Sequence, residues 1–370
     1  MAFLTKPRIG RIPRHWWAIP YVLFTLDEIP LNLFFHHSRS IKEGTSANMK
    51  PISIGLIGVG QHGSRYLQHL LSVKTGGELV AISRRNMEEG FRLATKYSLR
   101  FYPNYHDLLA DSAIQAVLIV TPPSLNLPIA LEAIQQGKGV LLEKPLALNQ
   151  IQGRQIVESA NKARIPFMTA QTLRYEPTIQ KLQEIASSLG QWQYLVCNMR
   201  FQTRPASPEK NTSRNNVGVI MEFGVHLLDL VRVLTQDEVH SVSADIDRPA
   251  VQDPEHRAFI KLITRRGLPC YLDISRVSQG RVTRAEIMGS QGQALADWTT
   301  NTLQKISRGN EISHYPCASS ATLVQVLRDF CQAIRSGSPM PITAEDGLRA
   351  VELADACYRS AQIGKPVFLN

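Results

Sequence analysis

The stretch from Glu222 to Asp229 combines two carboxylates and an imidazole at a spacing that could move protons. If this stretch is helical, Glu222, His226 and Asp229 stand at positions i, i+4 and i+7 and share one face. A carboxylate beside a histidine can hold its tautomer and raise its basicity, which suits a general base near neutral pH. Metal ligation and a plain polar helix face are the alternatives, and no further ligand cluster in the sequence supports a metal.

A lysine follows the apolar run Leu141-Leu142, in the triplet Glu143-Lys144-Pro145. If the run is a strand of a parallel sheet, Lys144 lies at the carboxyl edge, where ligands bind to such sheets. There it could donate to a substrate oxygen or act in acid–base chemistry, with Pro145 fixing the backbone beneath it. We therefore expect Lys144 to contact both substrate and cofactor and Glu143 to contact the cofactor. A solvated surface lysine is the alternative.

Three glycines after a short β-branched run, Gly58, Gly60 and Gly63, fit the pattern G-x-G-x-x-G. The first glycine allows a tight turn, the second lets the backbone approach a pyrophosphate, and the third lets the next helix pack close to the strand. The helix start offers N–H groups and the positive end of its dipole to phosphates. Together with Gln61 and His62, these glycines predict a dinucleotide-binding turn; a purely structural turn is the alternative.

The predicted second strand ends in Ser83-Arg84-Arg85, where an NAD site usually has an acid for the ribose 2′-hydroxyl. A serine and two arginines could instead hold a 2′-phosphate by charge-assisted hydrogen bonds, which favours NADP over NAD. Solvated arginines at a strand end are the alternative. Thr121 and Pro122 end another predicted strand, and we expect this turn beside the cofactor unless it is only a rigid loop.

Short apolar strands alternate with amphipathic helices up to about residue 170. Strands are predicted at 52–58, 78–83, 116–121, 139–142 and 166–169, and helices near 62–73, 87–97, 124–136 and 149–163. This rhythm predicts an α/β fold with a doubly wound parallel sheet of the Rossmann type, in a cofactor-binding domain over residues 49–170.

After about residue 171, strand-like runs follow one another without regular helices between them. They are Tyr194–Phe201, Val239–Asp245, Ala258–Ile263, Cys270–Val277 and Arg284–Gly289. Two amphipathic helices then close the chain. The pattern predicts a second, α+β domain over residues 171–370 with an open, mostly antiparallel sheet, serving substrate binding and oligomerisation.

Composition narrows the class of protein. A chain of 370 residues predicts about two domains, and its net charge of +10 comes from scattered basic residues, so a nucleic-acid partner is not expected. The apolar run at residues 16–26 contains Pro20 and is too short to span a membrane. Residues 1–48 do not fit the pattern that follows, and Met49 stands where a start codon would be expected. We predict that 1–48 is an over-extended reading frame or a poorly ordered tail.

The cysteines predict a reducing, cytoplasmic environment. There are five of them, they are widely spaced, and no C-x-x-C occurs. This pattern favours buried thiols over a disulfide framework or a zinc site.

Over about residues 51–370 the chain resembles the Gfo/Idh/MocA oxidoreductase family, which includes glucose–fructose oxidoreductase and inositol dehydrogenase. The motifs that carry the resemblance are the glycine fingerprint, Glu143-Lys144-Pro145, Leu173-Arg174-Tyr175-Glu176-Pro177, Gly224-x-His226-x-x-Asp229, Ile287-Met288-Gly289-Ser290-Gln291-Gly292 and Ser360-x-x-x-Gly364-Lys365-Pro366. The resemblance implies a Rossmann domain followed by an open-faced sheet domain often used for oligomer contacts. It also implies that Lys144 lies near the nicotinamide and substrate hydroxyl, that His226 is the acid–base group, and that Arg174, Tyr175 and Asp229 contact substrate.

The chain departs from the family pattern at two places. Glu222 stands where the family usually has an aspartate, which moves the carboxylate by about one methylene. Asn216 and Val217 precede a single Gly218, where the family tends to have consecutive glycines. These departures leave the role of Glu222 and the form of the substrate loop open.

The sequence thus predicts an NAD(P)-dependent dehydrogenase that prefers NADP. It would transfer a hydride between the nicotinamide and a hydroxyl or carbonyl carbon of a sugar, polyol or related cyclic compound. Lys144 would polarise the oxygen and His226 would exchange its proton, with Glu222 or Asp229 orienting the ring. A family glycosidase using transient oxidation and a non-catalytic cofactor-binding sensor are the alternatives.

Overall fold

A computed structural model describes residues 50–202, 217–248, 250 and 253–369. These residues all belong to one unit, Lys50–Asn370. The stretch predicted to form no domain, residues 1–48, lies outside the described residues, as does Asn216 of the predicted loop.

The first half of this unit is built on a six-stranded sheet. Its strands are β1 (Ile52–Ile57), β2 (Gly77–Ser83), β3 (Arg100–Tyr102), β4 (Ala116–Ile119), β5 (Gly139–Glu143) and β6 (Phe167–Ala170). They pair in parallel in the order β3-β2-β1-β4-β5-β6, which confirms the predicted doubly wound sheet. The strand order reverses between β1 and β4, and the carboxyl ends at such a switch point form the crevice where nucleotides bind.

Helices connect these strands, and the central strands are buried on both faces. The helices are α1 (Gln61–Ser72), α2 (Met87–Tyr97), α3 (Tyr105–Ala110), α4 (Asn126–Gln135) and α5 (Gln150–Ala163). Every residue of β4 and β5 is buried, as expected for a parallel sheet covered by helices. Side chains set several helix starts: Asn86 caps α2 and Asn149 caps α5, each accepting from a backbone N–H three residues on.

The second sheet contains nine strands. They are β7 (Trp192–Gln202), β8 (Val239–Asp247), β9 (Arg257–Thr264), β10 (Pro269–Ser278), β11 (Val282–Gly289), β12 (Gly292–Asp297), β13 (Thr302–Ser307), β14 (Ile312–Pro316) and β15 (Val367–Phe368). Their order is β14-β13-β12-β11-β7-β10-β9-β8-β15. The pairs are antiparallel except for β7 with β10, which confirms the predicted mostly antiparallel sheet.

Within the described part of the chain, helices cover one face of this sheet and leave the other face open. The remaining helices are α6 (Pro177–Ile185), α7 (Val225–Thr235), α8 (Thr322–Ser336) and α9 (Ala344–Ile363). Helices α7 and α9 pack together, and α9 lies on β8. Along β9, buried residues alternate with exposed ones, which is the pattern of a sheet with a single covered face. No helix within the described ranges is both long enough and apolar enough to cross a membrane.

Several elements were missing from the sequence prediction. Strand β3 has only three residues, and α3 has only six, so neither shows a period. Strands β12 to β14 lie towards one edge of the second sheet and carry polar residues at many positions, which hides their alternation. Helix α6 begins at Pro177, directly after a short 3₁₀ turn at Thr172–Tyr175.

Candidate active site

The glycine turn between β1 and α1 has the geometry of a phosphate cradle. Gly58 has φ +93°, and a Cβ there would lie 2.3 Å from the Val120 carbonyl oxygen. A Cβ on Gly63 would lie 1.9 Å from the Gly58 carbonyl oxygen, so both positions exclude larger residues on packing grounds. A Cβ on Gly60 meets no atom within 4 Å, which leaves space above the main chain. The turn therefore fits a dinucleotide pyrophosphate at the start of α1.

Glu143 ends β5 as a buried carboxylate that ties this turn to the next loop. Its Oε1 lies 2.8 Å from His62 Nε2 and accepts from the Tyr66 hydroxyl at 2.6 Å. Its Oε2 accepts from the Lys144 backbone N–H at 3.1 Å. Burial alone raises the pKa of Glu143, but the hydrogen bond and charge of His62 and the charge of Lys144 outweigh it, so the pKa is lowered overall. Glu143 is therefore an ionised group inside the protein.

Lys144 reaches from the first half of the unit to the second. Its Nζ donates to the Glu222 main-chain carbonyl at 2.8 Å. The Lys144–Pro145 peptide bond is cis, and the Pro145 carbonyl accepts from the Asn126 side-chain amide at 2.8 Å. Thr121 in turn donates to Asn126 at 3.3 Å, so the predicted Thr121 turn helps to support the lysine loop.

His226 lies in the first turn of α7 as a neutral base. Burial, followed by the charges of Lys144 and His62, lowers its pKa well below the usual 6.5. Its Nδ1 is buried and has no hydrogen-bond partner among the described residues, whereas some of the side chain keeps solvent exposure. Because Nδ1 is buried, Nε2 is the one ring nitrogen that a ligand could reach.

The predicted pairing of His226 with Glu222 on a regular helix face is wrong, because the helix is irregular just before His226. Residues Ile220–Gly224 form a π-helix, whose i→i+5 hydrogen bonds shift the register before α7 begins. The Glu222 carboxylate accepts from Arg276 Nη2 at 2.9 Å instead of meeting the imidazole. The same Arg276 nitrogen donates to the Val217 carbonyl at 2.7 Å, which anchors the segment before the π-helix.

Asp229 does not orient His226 either. Both of its oxygens accept from Arg174, at 2.8 and 2.5 Å, in a bidentate pair with an almost fully buried carboxylate. Arg174 also meets Asp346 at 2.9 Å, and these charges raise the pKa of the guanidinium. The structure thus brings Arg174 and Asp229 together as an ion pair. Tyr175, predicted beside them at the substrate, donates its hydroxyl to Asp329 at 2.8 Å.

The residues predicted to select the cofactor follow β2. Ser83 is buried, and its carbonyl accepts from the Gly58 N–H at 3.0 Å. This hydrogen bond joins the end of β2 to the glycine turn. Arg84 Nη1 lies 3.7 Å from Glu89 Oε1, and Arg85 is exposed. Both arginines therefore belong to the rim of the crevice.

Sequence reasoning missed three residues that hold the site together. Tyr66 and Asn126 are buried polar side chains in otherwise apolar helix faces, and this was the available signal. Arg276 gave no signal, because only the fold brings β10 beside Glu222. Among the described residues, no group of three or more histidine, cysteine or acidic side chains is placed to hold a metal ion.

Two family models match most of the chain. Residues 52–171 match the model described as "Oxidoreductase family, NAD-binding Rossmann fold". Residues 185–369 match "Oxidoreductase family, C-terminal alpha/beta domain".

Individual proteins match over nearly their full lengths. The myo-inositol 2-dehydrogenase of Thermotoga maritima is 25% identical over 332 residues, covering 86% of this chain and 98% of that protein. The UDP-N-acetylglucosamine 3-dehydrogenase of Acidithiobacillus ferrooxidans is 27% identical over 309 residues, covering 81% and 94%. A solved structure of the latter enzyme superimposes with a TM-score of 0.74 at 26% identity, covering 85% of this chain and 99% of that one.

Proposed function

The chain belongs to the Gfo/Idh/MocA oxidoreductase family, whose N-terminal domain is an NAD-binding Rossmann fold, and from this premise we propose that it is a dehydrogenase acting on a hydroxyl of a sugar, polyol or related cyclic compound. Related proteins are named as dehydrogenases of myo-inositol and UDP-N-acetylglucosamine. The observation that carries the proposal is the hydrogen bond from Lys144 Nζ to the Glu222 carbonyl, which brings the lysine beside the segment that carries His226.

The two basic groups have complementary roles. A bound nicotinamide cofactor supplies the hydride acceptor or donor. Lys144 carries an ammonium donor that can turn from the Glu222 carbonyl to a substrate oxygen and stabilise negative charge there. His226 is a neutral imidazole, and in the tautomer that carries its proton on Nδ1 the Nε2 atom can accept the hydroxyl proton during oxidation and return it during reduction.

Two ion pairs neutralise the carboxylates of the segment that carries His226. Glu222 is neutralised by Arg276, and Asp229 by Arg174, so neither carboxylate competes for the Lys144 ammonium. This supports a site in which Glu222 contributes its main-chain carbonyl and a fixed ion pair rather than a mobile acid.

We propose NADP as the preferred cofactor. Ser83, Arg84 and Arg85 offer hydrogen-bond donors and positive charge where an acid would favour NAD. Arg84 is already near Glu89, so it would need to turn from that carboxylate to a 2′-phosphate.

We also propose that the protein forms a homo-oligomer and is located in the cytoplasm. The open face of the second sheet supports a homo-oligomer formed through that face. All five cysteines are free thiols, and four of them are buried, which supports a reducing, cytoplasmic location. Strand β6 ends at Ala170, which supports a division into a cofactor domain (49–170) and a substrate domain (171–370).

A substrate screen with matched variants tests the function. The purified protein is assayed with sugars, polyols and nucleotide sugars, using NAD and NADP in parallel, and cofactor affinity is measured by fluorescence titration of NADH and NADPH. We expect Lys144→Met and His226→Ala each to lower turnover by roughly 10²–10⁴ while keeping cofactor affinity within a few-fold. Lys162→Met, an exposed lysine of α5, is the control and should behave like the parent.

Three outcomes would contradict parts of this proposal. Unchanged turnover in both site variants would remove the assigned roles. Equal affinity for NADH and NADPH in the parent would remove the NADP preference. Tight cofactor binding without turnover of any substrate would replace the dehydrogenase by a cofactor-binding regulator.

A further inference from the structure

The phosphate-binding turn and the lysine loop share one carboxylate. His62 lies in the first turn of α1, and Lys144 follows β5, with β4 between the two parent strands of the sheet. Glu143 spans that distance, with Oε1 2.8 Å from His62 Nε2 and Oε2 3.1 Å from the Lys144 backbone nitrogen. The hydroxyl of Tyr66, which is fully buried, fixes the carboxylate from the side at 2.6 Å.

The protonation states in this cluster favour the hydrogen bonds that join His62 to the Lys144 backbone through Glu143. Burial, then the charge of Glu143, raise the pKa of Tyr66 well above its usual value, so Tyr66 stays a neutral donor. The pKa of Glu143 is lowered in spite of its burial, so the carboxylate keeps its charge. A buried anion binds charged donors strongly and is costly to leave unpaired. Movement of His62 therefore disturbs the carboxylate that also holds the Lys144 backbone.

The His62 side chain is also placed to meet a ligand. It keeps 27% of its side-chain surface exposed, while Glu143 keeps 9%. Its ring stands edge-on to Tyr66, with centroids 5.6 Å apart, so the ring orientation is set from two sides. The turn that carries it has open space above Gly60. A ligand on this turn thus contacts the part of the chain that holds the carboxylate.

We propose that His62 is a positioning residue that, through Glu143, couples occupancy of the phosphate-binding turn to the placement of Lys144. The hydrogen bond to His62 keeps the carboxylate between the two loops, and the carboxylate keeps the lysine backbone in place. Binding of the cofactor to the turn and alignment of Lys144 then depend on the same set of hydrogen bonds. The part of this inference that concerns turnover rests on the proposed role of Lys144.

A double-mutant cycle on cofactor affinity tests the coupling. The dissociation constant of NADH is measured by fluorescence for the parent, His62→Ala, Glu143→Gln and the double variant. We expect His62→Ala to weaken binding about tenfold, as for loss of a hydrogen bond to a charged group. The double variant should bind no more weakly than the weaker single variant, since both changes break one connection. His62→Gln keeps a donor near the Nε2 position and should stay within about threefold of the parent.

A matched control separates this connection from an ordinary surface pair. His106 lies 2.7 Å from Glu132 on exposed helices, so His106→Ala removes the same type of contact away from the site. It should leave NADH affinity unchanged. Thermal melts of all variants check folding, and His62→Gln keeps the test open if His62→Ala does not fold.

Turnover at saturating cofactor gives a second measure. His62→Ala should lower kcat in the parent background but cause no further loss in a Lys144→Met background. If the effects of His62→Ala and Glu143→Gln on affinity multiply, or if His62→Ala behaves like His106→Ala, the coupling is refuted. If no substrate is turned over, the proposed function fails, whereas the affinity cycle still decides whether His62 and Glu143 act together.

Discussion

His226 is a base whose protonation the fold opposes, and this has a consequence for stability. Its pKa is lowered well below 6.5, so below about pH 6.5 the unfolded chain takes up a proton on this ring and the folded chain does not. The native state therefore loses stability as the pH falls from 7 to 5, by up to about 2 kcal/mol from this group. We expect His226→Gln, which cannot titrate, to show a smaller loss. Urea denaturation of both proteins at pH 7 and pH 5 measures the difference.

An exposed histidine is the control for that experiment. His106→Gln removes an imidazole from the surface, whereas His226→Gln removes a partly buried one whose pKa the fold lowers. The same decrease in unfolding free energy for parent and His226→Gln between the two pH values would show that the ring takes up a proton equally in the folded and unfolded chains. The assignment of a lowered pKa to His226 would then be wrong.

For individual residues, the sequence predicted which side chains lie near the site better than it predicted their hydrogen-bond and ion-pair partners. Lys144 and Glu222 were named as candidates, and the fold brings them within a hydrogen bond, although through the main-chain carbonyl of Glu222. The predicted support of His226 by an acid failed, because an ion pair depends on which basic residue the fold brings near. Arg174 precedes Asp229 by 55 residues and Arg276 follows Glu222 by 54, and no spacing rule reaches that far.

Among the elements, the turn from β1 to α1 contains two glycines with different roles. Gly63 is required by packing, whereas Gly60 leaves space for a ligand. A Cβ at Gly63 would overlap the Gly58 carbonyl oxygen at 1.9 Å, whereas a Cβ at Gly60 meets nothing within 4 Å. We expect Gly63→Ala to lower the free energy of unfolding by about 1–3 kcal/mol through overpacking. Gly60→Ala should fold normally but weaken NADH binding roughly tenfold or more, because its methyl group fills the space needed for close approach of a pyrophosphate.

Thermal melts and NADH titrations of the same preparations separate the two effects. Gly309→Ala serves as the control, since a Cβ there also meets nothing within 4 Å, in the loop between β13 and β14. If Gly60→Ala binds NADH like the parent, the space above this glycine is not the pyrophosphate site.

Helices and strands were predictable where the sequence shows a hydrophobic pattern or a helix-capping residue. Apart from the short β3, the parallel strands of the first sheet are mainly apolar runs, and their predicted positions agree with the structure to within about two residues at each end. The π-helix at Ile220–Gly224 was not predictable, because its sequence is as apolar and glycine-flanked as an ordinary helix start. The Glu255 carboxylate explains part of it, since it accepts from the Ile220 N–H at 2.9 Å and leaves no room for a side chain on Gly218.

At the scale of the whole molecule, the open face of the second sheet is the surface that suits a second copy of the chain. Phe259 on β9 and Tyr271 on β10 remain 45% and 41% exposed on this face. Around them lie charged side chains such as Lys261 and Asp273, which are their cross-strand neighbours. Exposed aromatic residues surrounded by polar ones are typical of protein–protein interfaces. An open groove of about 450 Å³ runs beside these residues, and neither Lys144 nor His226 lines it.

The proposed oligomer therefore depends on the two aromatic residues, and replacing them should separate the subunits without affecting the cofactor site. We expect Phe259→Glu combined with Tyr271→Glu to convert the oligomer to a monomer at micromolar concentration, because burying each unpaired carboxylate would cost several kcal/mol. Ile151→Glu changes an apolar side chain of α5 that is 69% exposed, and it should keep the mass of the parent. Sedimentation velocity gives the mass of each protein, and NADH titration should give the same affinity for all three. A parent that sediments as a monomer, or a double variant that keeps the oligomeric mass, would rule out this face as the interface.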